Sequence, residues 1–126
     1  MVRDFRFEFD RLGRVVMGPM GMGPRNCVIR LDGDTLEVRL GWGFRSRIPR
    51  RSIVDARRRE RVSFSRGAHG WRGRWLVNGS ATHLVSITVD PPARGAVIGW
   101  PVRVRELMLS VEEPDELVET LRSPVL

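Results

Sequence analysis

The sequence predicts a mainly β protein: one antiparallel sandwich or partly open barrel of about seven strands, with an extra N-terminal strand and one C-terminal helix that caps it. Three observations lead to this prediction. The chain has 126 residues, the size of a single ordinary domain. Apolar and polar residues alternate with a period of two along most of its length, as in strands with one buried face. Helical spacing of apolar residues occurs only near the C-terminus.

The extra N-terminal strand is indicated by the stretch FRFEF. Phe5, Phe7 and Phe9 alternate with charged residues, so the three aromatic rings are expected on one face of a strand. This strand begins an N-terminal extension, residues 1–25, which continues into a loop rich in methionine and glycine. The core of the domain is expected at residues 26–122.

The methionine- and glycine-rich loop reads VVMGPMGMGPR. Its methionines, Met17, Met20 and Met22, are candidates for an interaction surface, because flexible thioether side chains adapt to a partner. The loop could equally cover an open edge of the sandwich. A metal role would require soft Cu(I), and no Cys or His lies among the three, so no metal site is expected.

Seven strands are predicted in the core. Asp32-Gly33 tolerates positive φ and joins the first two strands in a hairpin. Pro49 ends the third strand, because proline lacks an N–H for the ladder. A long loop with an apolar middle, residues 90–101, is predicted to connect the last two strands. The predicted strands are residues 26–31, 34–40, 44–48, 52–58, 71–77, 83–89 and 102–111.

The C-terminal helix is predicted in EEPDELVETLRS. Pro114 suits the first helical position, where its missing N–H has no partner to lose. Leu117, Val118 and Leu121 form one apolar stripe at helical spacing. A helix this short does not persist alone in water, so it is expected to pack on the sheet.

The positive charge of this chain rests entirely on arginine. The sequence has 22 arginines, no lysine and a formal net charge of +7. Arginine stays protonated at any working pH and binds carboxylate or phosphate groups with two parallel hydrogen bonds. The balance of charge therefore favours an anionic partner.

Two groups of arginines have different expected positions. Arg50 and Arg51 are expected at a turn, where they can present two guanidinium groups together. Arg39, Arg45 and Arg47 alternate with core-facing residues and are expected on the solvated outer face of a sheet. The turn pair is therefore the stronger candidate for binding an anion.

The predicted loop at 90–101 is a second candidate surface. Val97, Ile98 and Trp100 are apolar residues close to Arg94, a composition that suits a membrane surface or a protein contact. The alternative is that the loop folds back and Trp100 caps the core. The candidates for binding an anion or lipid are Arg50, Arg51, Arg94 and Trp100, and those for an interaction surface are Met17, Met20, Met22, Val97 and Ile98.

The order of elements resembles the pleckstrin-homology-like fold, and its bacterial members in particular. The stretch VIRLDGDTLEVRLGWGFRSRIPRRSIVDARR is similar to their opening strands, and LMLSVEEPDELVETL to their closing strand and helix. The resemblance implies that the turns at 31–34 and 49–52 and the loop at 90–101 share the open end, away from the helix. Members that bind phosphoinositides use basic residues on the first hairpin, whereas the hairpin loop here is Asp32-Gly33-Asp34.

Enzyme signatures are missing from the sequence. His69 and His83 are its only histidines, and neither lies in a spacing typical of catalysis or metal binding. Cys27 alternates in phase with apolar residues, which indicates a small buried side chain rather than a nucleophile. We therefore expect no catalytic function and no cofactor.

These observations order the functional hypotheses. The first is a scaffold for protein interaction or self-assembly, its partner a protein or a second copy of the chain. The second is peripheral binding to anionic membrane lipids through the arginines and Trp100. Nucleic-acid binding through the arginines around residues 59–70 ranks third, because no RNP-like, KH-like or helix-turn-helix pattern supports it. The N-terminal stretch has acidic residues where a signal peptide has its apolar core, and the chain has a single cysteine; both agree with the cytoplasm, at the inner face of the membrane in the second case.

Overall fold

A computed structural model describes most of the chain. The predicted methionine surface, Met17, Met20 and Met22, lies outside the described residues, as does most of the stretch 59–70. The described residues are 2–11, 26–59, 67–71, 73–78 and 82–123.

Nine strands and one helix form the described part of the chain, so the prediction of a mainly β protein with a C-terminal helix is confirmed. A 3-10 turn, Arg50–Ser52, joins the fourth and fifth strands. The elements are β1 (Val2–Phe5), β2 (Cys27–Asp32), β3 (Thr35–Leu40), β4 (Phe44–Pro49), β5 (Ile53–Arg59), β6 (Gly67–Trp71), β7 (Arg74–Asn78), β8 (Leu84–Val97), β9 (Trp100–Ser110) and α1 (Pro114–Arg122).

The strands form one open sheet in the order β1-β2-β3-β4-β8-β9-β7-β6. β9 pairs along one edge of β8, while β4 and β5 pair in succession along its other edge. All pairs are antiparallel except β7 with β9. One cluster of buried side chains contains residues from β2, β3 and β4 and also from β7, β8 and β9. These strands therefore contribute to a single core.

The prediction of a loop at 90–101 is wrong. β8 runs through to Val97 and β9 starts at Trp100, so these residues form a long hairpin with a two-residue turn. The register shifts between Thr88 and Ala93, where Asp90, Pro91 and Pro92 are exposed. Prolines are tolerated at such an irregularity because no ladder hydrogen bond depends on their missing N–H.

The predicted strand at 71–77 is confirmed only from Arg74 onward, because two strands share that stretch. β6 ends at Trp71 and pairs in a hairpin with β7, which begins at Arg74. Gly73 lies between them with a φ of +84°, a conformation that glycine adopts without steric cost.

The helix lies beside the turn at 49–52, not at the opposite end as the resemblance implies. The Nη2 of Arg50 donates to the carbonyl oxygens of Thr120 and Ser123, at 2.6 and 2.8 Å. The 3-10 turn connects β4 to β5. The helix packs against β5, and its Leu117 and Leu121 are buried.

Candidate functional site

Five arginines project from the outer side of four neighbouring strands, β3, β4, β8 and β9. Each is exposed, and the residues that alternate with them on β3 and β4 are buried in the core. Alternation along each strand and direct pairing across strands put the five on one face. We call this surface the arginine face: Arg39, Arg45, Arg47, Arg94 and Arg103.

The strand register sets like charges opposite each other on the arginine face. Arg39 pairs with Arg45 between β3 and β4, and Arg94 pairs with Arg103 between β8 and β9. Side chains in direct register have Cβ atoms about 4.5–5.5 Å apart, and like charges at that distance destabilise a sheet. Glu37, opposite Arg47, is the one acidic residue among the described residues that line the cleft on this face.

None of these five arginines makes a side-chain hydrogen bond or an ion pair within the part of the chain that the structure describes. Other arginines are neutralised locally: Arg30 binds Asp4 at 2.7 Å and Arg74 binds Glu106 at 2.9 Å. The arginine face therefore carries unpaired positive charge.

A shallow cleft of about 790 Å³ runs over the arginine face. Four of the arginines line it, together with the small residues Gly95, Ala96 and Gly99. A Cβ atom at Gly95 would lie 3.0 Å from the carbonyl oxygen of Arg45 and 3.1 Å from Val104. Ser46 donates to the carbonyl oxygen of Arg94 at 2.7 Å, which holds β8 against β4 beneath the cleft. The cleft thus has a closely packed floor and charged walls.

Three large apolar side chains are exposed in or beside the β3–β4 and β8–β9 turns, where the strands of the arginine face end. Trp100 is in register with Val97 and so lies on the opposite side of the hairpin from Arg94 and Arg103. Trp42 is 53% exposed, Ile98 69% and Trp100 76%. The backbone N–H of Ile98 donates to the carbonyl oxygen of Gly43 at 3.0 Å, which ties the β8–β9 turn to the β3–β4 turn. We call Trp42, Ile98 and Trp100 the apolar tip. Among the described residues, only Val2 and Val54 are other large apolar side chains with similar exposure.

Ile98 occupies a backbone conformation that its side chain disfavours. Its φ is +51° and that of Gly99 is +76°, the pattern of a tight turn with both central residues left-handed. A β-branched residue with positive φ is an outlier, and such strain clusters at functional positions. Folding alone gives no reason for an exposed isoleucine here.

The structure brings together some of the predicted site residues and separates others. Arg94 lies on the arginine face, and Ile98 and Trp100 lie on the apolar tip. Trp100 does not cap the core. Val97 is half-buried and packs against the core, so it adds little to the surface. Arg50 is engaged by the helix carbonyl oxygens.

Trp42 and Arg103 were missed as site residues by the sequence reasoning. Arg39, Arg45 and Arg47 lie on the solvated outer face, as predicted, with Arg39 in direct register with Arg45 and Arg47 opposite Glu37. The GWG turn, which offers a tryptophan between two glycines, was the signal that could have pointed to Trp42.

His83 and Cys27 have structural roles. His83 Nδ1 lies in contact with Glu8 Oε1, and Thr82 donates to Glu8 Oε2 at 3.0 Å, which ties the N-terminal segment to the start of β8. Burial raises the pKa of the Cys27 thiol to about 11, which disfavours the reactive thiolate. No group of three or more potential metal ligands occurs among the residues that the structure describes.

Comparison with known protein families, with curated proteins and with solved structures finds no match to this chain. The pleckstrin-homology-like resemblance therefore stays a prediction. Within the described ranges, no helix is long and apolar enough to cross a membrane.

Proposed function

We propose that this protein is a non-catalytic module that binds the surface of anionic membranes. The arginine face lies on the lipid headgroups and the apolar tip enters the interface. The observation that carries the proposal is position along the same strands: exposed Trp42, Ile98 and Trp100 lie in or beside the two turns that end the strands bearing the unpaired arginines. Tryptophan favours the headgroup region, where one side of its ring is apolar and the other is wet.

The free energy of membrane binding requires contributions from both the arginine face and the apolar tip. A basic residue near an anionic membrane contributes about 1 kcal/mol. Five arginines less Glu37 give about 4 kcal/mol, which corresponds to a Kd of about 1 mM. Insertion of the apolar side chains has to supply the rest, at about 1.5–3 kcal/mol for a large side chain that is fully buried. Binding by this route stays partly sensitive to salt, because the arginine contribution is screened.

Co-sedimentation with vesicles tests the proposal. The purified protein is mixed with anionic or neutral vesicles at low and physiological salt, alongside Trp100→Ser and the control Val54→Ser. Val54 is 59% exposed on β5, so its substitution removes an exposed apolar side chain away from the apolar tip. We expect binding to anionic vesicles at both salt concentrations, a clear loss with Trp100→Ser and no change with Val54→Ser. Equal loss with both variants, or no binding by the parent protein, contradicts the proposal.

Protein interaction or self-assembly is the second candidate function. The exposed, strained Ile98 favours it, because such a side chain also suits an apolar pocket on a protein. Its measurement is the mass in dilute solution: a value above 14.4 kDa for the chain without vesicles supports self-assembly. A strict monomer that binds vesicles supports the membrane role.

A further inference from the structure

We infer that the cleft on the arginine face binds a ligand that carries two or more clustered phosphate groups. This inference rests on the proposed function for its choice of surface, and it adds the class of ligand. The cleft is also separate from the acidic Asp32-Gly33-Asp34 turn, which does not line it.

The first step is the unpaired charge of the cleft. The register holds Arg39 against Arg45 and Arg94 against Arg103, although like charges in direct register oppose folding. Elsewhere the chain places an acid beside an arginine, as Asp4 beside Arg30 and Glu106 beside Arg74. An anion that binds in the cleft would supply the negative charge that these two arginine pairs lack.

The second step is the amount of charge that the ligand must carry. The described lining of the cleft contains one acid, Glu37, against Arg39, Arg45, Arg47 and Arg94, and Arg103 adjoins Arg94. A phosphodiester headgroup carries one negative charge, whereas a terminal phosphate carries about 1.5 to 2. Two or more terminal or linked phosphates therefore match the cleft better than one diester.

The third step is geometry. The two arginine pairs are two strand spacings apart, about 10 Å across the sheet. Guanidinium groups bind phosphate oxygens with paired hydrogen bonds, and each pair of arginines can enclose one phosphate group. Ala96, which lies opposite Arg45 on the outer side of β8, is small and keeps the floor between the pairs low, so a linked set of phosphates can extend across it.

Calorimetric titration with inorganic tripolyphosphate and with orthophosphate, at physiological ionic strength, tests the inference without any membrane. We expect tripolyphosphate to bind at least about tenfold more tightly than orthophosphate, because it reaches both arginine pairs. Arg94→Gln with Arg103→Gln should weaken tripolyphosphate binding by at least about tenfold, and so should Arg39→Gln with Arg45→Gln.

Arg57→Gln with Arg58→Gln is the matched control. It removes the same charge from β5, where both arginines are exposed and lie near acids. We expect it to weaken binding by less than about threefold, through long-range charge alone. Equal weakening by the control and by either cleft variant overturns the inference, as does equal binding of the two phosphates. Thermal unfolding of each variant verifies that it is folded. If one of the two cleft variants does not fold, the other is used for the comparison.

Vesicles distinguish a lipid source of phosphate from a soluble one. Phosphatidic acid and phosphatidylglycerol are compared at matched surface charge, and stronger binding to phosphatidic acid supports a clustered or terminal phosphate on lipid. Tripolyphosphate binding without vesicle binding supports the cleft and contradicts the membrane role. Vesicle binding without tripolyphosphate binding supports the membrane role and contradicts the phosphate site in the cleft.

Discussion

Replacement of Ile98 by asparagine changes the stability of the fold and its membrane affinity in opposite directions. Ile98 has a φ of +51°, and the left-handed region costs an ordinary L-residue about 1–2 kcal/mol. Asparagine tolerates this region, and Asn-Gly is the dipeptide favoured in two-residue hairpin turns. Because the Ile98 side chain is 69% exposed, its removal leaves no cavity. We expect Ile98→Asn to stabilise the fold by about 1 kcal/mol.

The same substitution removes an apolar side chain from the membrane contact. Complete burial of an isoleucine is worth about 1.5–3 kcal/mol. The exposed two-thirds of Ile98 can therefore contribute about 1–2 kcal/mol to binding. We expect Ile98→Asn to weaken binding to anionic vesicles by about five- to thirtyfold.

Thermal unfolding and vesicle co-sedimentation measure the two effects on the same preparation. For a chain of this length, 1 kcal/mol corresponds to a rise in Tm of about 3–5 °C. Val54→Asn is the control: it should leave vesicle binding unchanged and should not raise the Tm, because a β-branched residue suits a strand better than asparagine does. A fall in Tm for Ile98→Asn would mean that the isoleucine packs against the protein. Unchanged vesicle affinity would mean that the tip stays outside the membrane.

Three further predictions concern residues away from the apolar tip. Arg50→Ala should destabilise the fold by about 1.5–3 kcal/mol in a denaturant titration, because two carbonyl oxygens of the helix lose a charged donor. Arg51 is exposed, so the control Arg51→Ala should leave the stability nearly unchanged. Gly95→Ala should cost about 1–3 kcal/mol in the same measurement, since its Cβ meets the Arg45 carbonyl oxygen at 3.0 Å; no loss would show that β8 can shift. Cys27 should react with iodoacetamide slowly at pH 8 and accelerate towards pH 11, and fast reaction at pH 8 in the folded protein would contradict its burial.

Local sequence patterns were sufficient to predict strands that pair with their neighbours along the chain. The period-two alternation places β2, β3 and β4 within about one residue of their observed ends, and Pro114 marks the first residue of α1. The outward direction of Arg39, Arg45 and Arg47 follows from the same alternation. These features depend on which face of a strand is buried, and the sequence records that directly.

Contacts between distant segments could not be read in this way. Pro91 and Pro92 are loop signals in sequence, but they lie where the register of β8 shifts and the strand continues beyond them. Nothing in the pair Arg50-Arg51 shows that one of them binds carbonyl oxygens of a helix about 70 residues later. The opposition of Arg94 and Arg103 depends likewise on the length of a hairpin that was taken for a loop.

Fluorescence quenching by lipids brominated on their acyl chains tests the central claim most directly, because it reports whether Trp100 enters the bilayer. The wild-type protein and Trp100→Phe are each titrated with anionic brominated vesicles and with neutral ones. The account predicts strong quenching of the wild type by anionic vesicles, a smaller effect in Trp100→Phe, in which Trp42 of the apolar tip is still quenched, and little quenching by neutral vesicles. Equal quenching of the two proteins, or sedimentation with vesicles without any quenching, would contradict insertion of the apolar tip.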